Sequence, residues 1–302
     1  MGALKLIGLI FIIGSLLGCS DSIHHEQVPK ISQVDGINYR GLENKIISIE
    51  KKLGARVGIS VYDVDMKKEL WSYRGGSRFP LMSTFKTLAC AKMLHDVEKK
   101  KLLLNPYTFI KKESLIEWSP ITKNYIGKKF TLKQACSAMM TMSDNTAANI
   151  VLKKIGGPKA LTLFMQTIGD NTTQLDRMEP DLNEALEGDV RDTTTPHAIT
   201  QSLHLLLFGD VLSDSSKAQL KKWMMENKVA NSLFRSVLPN NWVIADRSGA
   251  GGYGSRGITA IVWPKTHKPL IIAVYLTQTK ASFDQRNKAI AQIGREIFAL
   301  YK

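Results

Sequence analysis

Apolar residues fall on alternate positions at Val57, Ile59 and Val61, separated by Gly58 and Ser60. That period of two predicts a strand in "RVGISVYDV", and "ELWSYRGG" reads as its hairpin partner. Upstream, "YRGLENKIISIEKKLGA" has the spacing of an amphipathic helix. From residue 80 to about 230 the pattern turns helical, in "TFKTLACAKMLHDVEKK", "TLKQACSAMMTMS", "NTAANIVLKKIGG", "PKALTLFMQTIG", "TPHAITQSLHLLLFG" and "DSSKAQLKKWMMEN". Several of these end in glycine, as helix C-termini tend to. Strands return in "NWVIADRSG", "RGITAIVWP" and "KPLIIAVYLTQ", and "FDQRNKAIAQIGREIFALYK" closes the chain as a helix. Strands at both ends imply one sheet made from two distant segments, antiparallel because the loops among the last three strands are short. The expected class is therefore α/β (α+β). An α/β lobe is built from 39–75 and 226–302, an all-α lobe from 76–225 is inserted into it, and a site is expected in the cleft between them.

The N-terminus needs a separate reading. Lys5 precedes the apolar run "LIGLIFIIGSLL", too short to span a bilayer but suited to the core of a secretory signal. It ends in "LLGC", which resembles a bacterial lipobox, with cleavage after Gly18 leaving Cys19 as a lipid-modified N-terminus. Ordinary signal cleavage, with Cys19 discarded or left free, is the alternative. Residues 1–18 are thus expected to be a signal peptide and 19–38 a polar tether. The protein is expected in the periplasm or cell envelope as an anchored lipoprotein, on the outer membrane where the host has one.

A chain of 302 residues is near the ~250–300 at which a single core stops growing, which agrees with two lobes. Its formal charge of +14 raises nucleic acid as a partner, but the lysines are scattered in pairs and triplets among helices. No aromatic and arginine pattern for stacking bases accompanies them, so a solvated basic surface is the reading and nucleic acid is not expected. The three cysteines are an odd number for an exported chain. Lipidation of Cys19 leaves Cys90 and Cys136, which can pair in an oxidising compartment or remain as buried thiols. The histidines His24, His25, His95, His197, His204 and His267 form no ligand spacing, so neither a metal nor another cofactor is expected.

Three short motifs carry chemistry. Ser83 and Lys86, in "PLMSTFKTLAC", stand three apart on a predicted helix and share a face. A serine hydroxyl needs a base nearby to act as a nucleophile, and a desolvated lysine can help; alone, the pattern is common. Ser143, Asp144 and Asn145 fall in a loop between helices, where either of the first two would also serve as an ordinary N-cap. In "ADRSGAGGYGSRG" glycines at a strand end permit close backbone approach to a ligand, or make a plain hairpin turn.

Taken in this order, Ser83-Thr84-Phe85-Lys86, Ser143-Asp144-Asn145 and Arg247-Ser248-Gly249 resemble the three motifs of class A β-lactamases and their penicillin-binding relatives. The resemblance runs from about residue 39 to the C-terminus and implies the β-lactamase/transpeptidase-like fold. It also implies an Ω-loop in "DRMEPDLNEALEGDVRD". There Glu179 would be the hydrolytic base and Asn183 would help hold the water, with Arg177 and Asp192 closing the neck. Glu179-Pro180 is a bond open to cis. By the same resemblance Ser83 is the nucleophile with Lys86 as its buried partner, and Ser143 relays a proton to the lactam nitrogen. The backbone of Ser83 and Ala250 would bind the oxyanion, and Asn145 the substrate's side-chain amide. Arg247, Ser248 and Arg256 would bind the substrate carboxylate, next to Gly249. Trp118 matches an aromatic gate, with a core role as the alternative, and Cys90–Cys136 matches the family disulfide.

Lysine is usual in the family where this chain has Arg247. That departure resembles the carbenicillin-hydrolysing branch and implies penicillins, carboxypenicillins included, as substrates. The expected protein is a monomeric β-lactam hydrolase that confers resistance. A slowly deacylating DD-peptidase or transpeptidase and a silent cell-wall-binding lipoprotein are the rivals. Glu179 and Asn183 argue against the first, and the intact Ser83, Lys86, Ser143 and Glu179 against the second.

Overall fold

Five strands form one antiparallel sheet: β1 (Arg56–Asp63), β2 (Lys68–Tyr73), β3 (Val243–Ala250), β4 (Arg256–Trp263) and β5 (Leu270–Thr277), in the order β2-β1-β5-β4-β3. Strand β1 pairs with the last strand of the chain, Arg56 standing opposite Thr277 and Asp63 opposite Leu270. This computed structural model describes residues 33–34, 37–103 and 106–302. The signal segment, Cys19 and most of the stretch read as a tether lie outside the described residues; near its end Gln33–Val34 pairs with Ile37–Asn38.

Alternation along β5 separates two cores, because successive side chains leave opposite faces of a strand. Leu270, Ile272, Val274 and Leu276 enter one cluster, with Leu42, Ile46 and Ile49 of α1 (Arg40–Leu53) and Ile290, Ile293 and Ile297 of α8 (Phe283–Ala299). Ile271, Ala273 and Tyr275 enter the other, with α2 (Phe85–Glu98), α3 (Leu132–Thr141), α4 (Asn145–Lys154), α5 (Gly157–Thr167), α6 (Pro196–Leu207) and α7 (Asp214–Met225). The sheet is thus covered on both faces, so Gly58 and Ser60 are buried like Val57, Ile59 and Val61 around them. Helix α6 covers Ser60, whose Oγ meets Thr200 Oγ1 at 3.0 Å, and the Phe79 ring covers Gly58.

Helices α1 and α8 run antiparallel. The hydroxyl of Tyr39, before α1, lies 2.6 Å from that of Tyr301, after α8, while Thr279 Oγ1, before α8, donates to the carbonyl of Leu53 at the end of α1. A two-residue pairing that the sequence pattern did not announce, Phe79–Pro80 with Thr193–Thr194, ties the approach to α2 to the end of the Ω-loop.

Cys90 on α2 and Cys136 on α3 form a disulfide across 46 residues, both fully buried. In the chain-entropy account a loop of that length contributes about 4 kcal/mol. The double Cys90→Ala/Cys136→Ala variant should therefore melt roughly 10 °C lower. Thiol titration of unreduced, denatured protein should find both cysteines blocked, and two reactive thiols there would refute the bridge.

Candidate active site

Ser83 sits in a single 3₁₀ turn, Met82–Thr84, that leads into α2, with Met82 in the left-handed region at φ 48°. Lys86 follows in the first turn of α2. Ser143 lies between α3 and α4, also left-handed at φ 60°. The N-cap role open to Ser143 or Asp144 falls to Asp144, whose carboxylate accepts from Ala147 N at 2.9 Å. It also accepts from Ile121 N, Thr122 N and Thr122 Oγ1 at 2.7–2.9 Å. This buried carboxylate pins the loop, and the Ser143 hydroxyl is left to donate to Ser83 Oγ at 3.1 Å.

Lys86 is wholly buried. Its ammonium donates to Ser143 O at 2.9 Å and Asn145 Oδ1 at 2.6 Å, lies 3.3 Å from Ser143 Oγ, and contacts Glu179 Oε1 at 3.0 Å. The Ser143 hydroxyl links Lys86 to Ser83. Burial lowers the lysine pKa to about 8, opposed by the adjacent Glu179 and reinforced by the nearby Arg247. The contacts still favour the charged form. A carbonyl and an amide oxygen accept hydrogen bonds from it and the Glu179 carboxylate stands at ion-pair distance, an all-acceptor surrounding that suits an ammonium and not a neutral amine.

The Ω-loop is tied at its neck. Arg177 Nε donates to Asp192 Oδ2 at 2.6 Å, and Asp192 Oδ1 accepts from the backbone of Asp176 and Arg177 at 2.8 and 2.9 Å. The Glu179-Pro180 bond is cis. Asn183 Nδ2 donates to Glu179 Oε2. A residue that the sequence reading left without a role completes the arrangement: Asn149 of α4 accepts from Glu179 N at 3.0 Å and donates to Glu179 O at 2.8 Å. Its signal was available, since Asn149 stands four residues after Asn145 and so shares its face of α4.

Strand β3 forms the opposite wall. An added Cβ at Gly249 would lie 2.8 Å from Ser83 N and 2.7 Å from Met82 Cβ, so only glycine lets the strand come this close. Arg256 on β4 is nearly buried, donating from Nη1 to Gly249 O and from Nε to Asn287 Oδ1, both at 2.8 Å. Arg247 is fully buried behind the wall; one Nη donates to Ser143 Oγ, while Nε and the other Nη have no acceptor among the described residues. Burial lowers both arginine pKa values to about 10, with Arg247 adding to the effect on Arg256. Both therefore stay charged at neutral pH, close to Lys86 and to the carboxylates of Glu179, Asp144 and Asp246.

The cleft between these walls has a volume of about 300 Å³ and is lined by Ser83, Ser143, Asn145, Asn183, Ser248 and Ala250, among others. Trp118 stands at its edge, 57% exposed, its indole donating to Met142 O at 3.0 Å, so it is not a core residue. Asn145 lines the cleft too, but its amide is engaged, accepting from Lys86 and donating to Glu117 O at 3.2 Å. Among the described residues no cluster has the makings of a metal site. A polarised serine beside a buried ammonium and a held carboxylate is equipped for acyl transfer followed by hydrolysis.

Residues 41–301 match the model of a family described as the β-lactamase enzyme family. β-Lactamase PSE-4 of Pseudomonas aeruginosa is 50% identical over 274 residues, 91% of this chain and 95% of its own length. β-Lactamase AER-1 of Aeromonas hydrophila is 50% identical over 82% of this chain and 81% of its own. The crystal structure of the chromosome-encoded β-lactamase of Vibrio parahaemolyticus superposes with a TM-score of 0.84 at 52% identity, covering 86% of this chain and 99% of that one. The class A β-lactamase of the last common ancestor of Gram-negative bacteria gives 0.84 at 42% identity, covering 87% and 100%. Likeness of this extent, around a cleft built for acyl transfer to serine, makes the chain a member of the β-lactamase enzyme family and a class A serine β-lactamase.

Proposed function

We propose that the enzyme opens penicillins, carboxypenicillins included, through an acyl-Ser83 intermediate. Ser83 Oγ attacks the lactam carbonyl, and the developing oxyanion is held by the backbone N–H groups of Ser83 and Ala250. Ser143 passes a proton to the departing lactam nitrogen. Glu179, with Asn183, then directs water onto the ester. The observation that carries this reading is the unbroken run of proton-exchanging groups from Ser83 Oγ to Ser143 Oγ, to Lys86 Nζ, to Glu179.

The all-acceptor surrounding of Lys86 supports an ammonium there, which leaves Glu179, acting through water, as the base that also frees Ser83. The pH profile tests this. The ammonium persists below a pKa of about 8 and is lost as pH rises through it. Acylation should therefore decline above about pH 8; a rise through that pH would assign the base to Lys86 instead.

Substrate charge is read by the buried cations. Arg256 borders the cleft, and Arg247 acts from behind it, through its bond to Ser143 Oγ and through its charge. Arginine presents a planar fork where lysine offers a point charge. Hydrolysis of benzylpenicillin and carbenicillin, followed by loss of lactam absorbance, should show turnover of both that vanishes in Ser83→Ala. Arg247→Lys should lower the carbenicillin-to-benzylpenicillin ratio of kcat/KM by about tenfold, the scale of one charge-assisted hydrogen bond. An unchanged ratio would remove Arg247 from substrate selection, and a single stoichiometric burst without turnover would favour a penicillin-binding role.

The apolar segment ending in Cys19 supports export and lipid anchoring, and no helix among the described residues is long and apolar enough to cross a membrane. Replacing Cys19 by Ser should abolish lipid labelling; unchanged labelling would refute the anchor.

A further inference from the structure

The antiparallel pair α1 and α8 covers the outer face of the sheet and turns its other side to solvent. On α1 the exposed side chains are those of Arg40, Asn44, Ile47, Ser48, Lys51 and Lys52, beside the exposed Gly41, and at helical spacing they form one stripe opposite the buried Leu42, Ile46 and Ile49. On α8 the exposed stripe runs through Lys288, Gln292 and Arg295, opposite Ile290, Ile293 and Ile297. Because Tyr39 meets Tyr301 and Thr279 meets Leu53, the two stripes lie side by side, with Lys51 and Lys52 at the end of the pair where α8 begins.

The acidic residues of these helices are mostly spent elsewhere. Glu50 pairs with Arg74 and accepts from Tyr73 Oη at 2.8 Å, and Glu43 accepts from Trp71 Nε1 at 3.4 Å. Glu296 is half-buried, which leaves Asp284, in the first turn of α8, as the exposed carboxylate of the pair. Five exposed cations thus face one exposed anion. In the midst of the α1 stripe Ile47 is 54% exposed, an apolar side chain set among charges. The chain also enters α1 at Arg40, directly after the segment that leads from Cys19.

We propose that the α1–α8 face lies against a bilayer surface rich in anionic phospholipid, its five cations on the headgroups and Ile47 at the interface. A basic face adds a second attachment to whatever the N-terminal segment supplies, and such pairs of weak signals hold proteins on membranes where one alone is marginal. Bound this way, the enzyme would present a fixed face to the lipid.

The test is cosedimentation of the full chain with phosphatidylcholine vesicles, with and without phosphatidylglycerol. Wild-type protein should prefer the anionic vesicles and lose the preference in high salt. Lys51→Gln/Lys52→Gln/Lys288→Gln/Arg295→Gln should weaken anionic partitioning by about fivefold for each cation removed. A variant with the same charge change on other surfaces, Lys99→Gln/Lys101→Gln/Lys153→Gln/Lys154→Gln, should retain it. Unchanged penicillin hydrolysis in both shows that they fold. Equal losses in the two variants would reduce the effect to net charge and overturn the assigned face, as would a wild-type protein with no preference for anionic lipid. The variants share the same N-terminus, so the outcome does not depend on whether Cys19 is acylated.

Discussion

Glu179→Gln, mixed with benzylpenicillin, should accumulate a stable acyl-Ser83 adduct while steady-state hydrolysis falls by about 10²–10⁴, the usual contribution of a positioned general base. The two halves of the reaction respond differently because of Lys86. Glu179 is the neighbour that holds the lysine's proton most strongly against burial. Removing its charge lowers the lysine pKa further and frees a neutral amine, 3.3 Å from Ser143 Oγ, to take the serine proton. Acylation then keeps a route. Deacylation keeps none, because on the proposed mechanism the attacking water has lost its base. Intact-protein mass spectrometry decides the matter: no adduct, with activity equally reduced, would mean that Glu179 serves acylation alone.

Gly249→Ala should cost about 10²–10³ in kcat/KM while the protein still folds. The new methyl group would meet Ser83 N at 2.8 Å and Met82 Cβ at 2.7 Å, and the first of these is backbone that cannot rotate away. Either β3 or the turn carrying Ser83 must shift, and both supply the N–H groups assigned to the oxyanion. Loss of one such donor, or a misplacement of about 1 Å, has a cost of that order. Circular dichroism and thermal melting should stay close to wild type; activity within a factor of three would show that the gap between β3 and Ser83 is not needed.

Much of this was legible in the chain. Strand β1 follows from its period-two pattern, β2 from its place as a hairpin partner and β3, β4 and β5 from extended segments joined by short turns, and their union follows from their position at the two ends. The reading missed what depends on partners distant in sequence. The burial of Ser60 could not be read locally, because nothing near it in sequence announces α6 on its other side. Lys86 was read against its neighbour Ser83, whereas its contacts come from the α3–α4 link, from α4 and from the Ω-loop. Asn149 carried no expected role because an asparagine on a helix is ordinary until a loop 30 residues later lays its backbone along it. Arg247 was expected on the cleft surface, yet its long side chain reaches Ser143 from a fully buried position.

The pairing of β1 with β5 sets the order in which the protein can be completed. Arg56 can find Thr277, and Asp63 can find Leu270, only once nearly the whole polypeptide is available. During synthesis the early hairpin of β1 and β2 must therefore wait with one edge unpaired while helices α2 to α7 are delivered behind it. Contacts this distant in sequence are slow to close and leave aggregation-prone strand edges in the interval. The last 30 or so residues hence act as the closing clasp, and a chain truncated before β5 should be recovered as a misfolded or degraded product with the residues assigned to its active site already in hand.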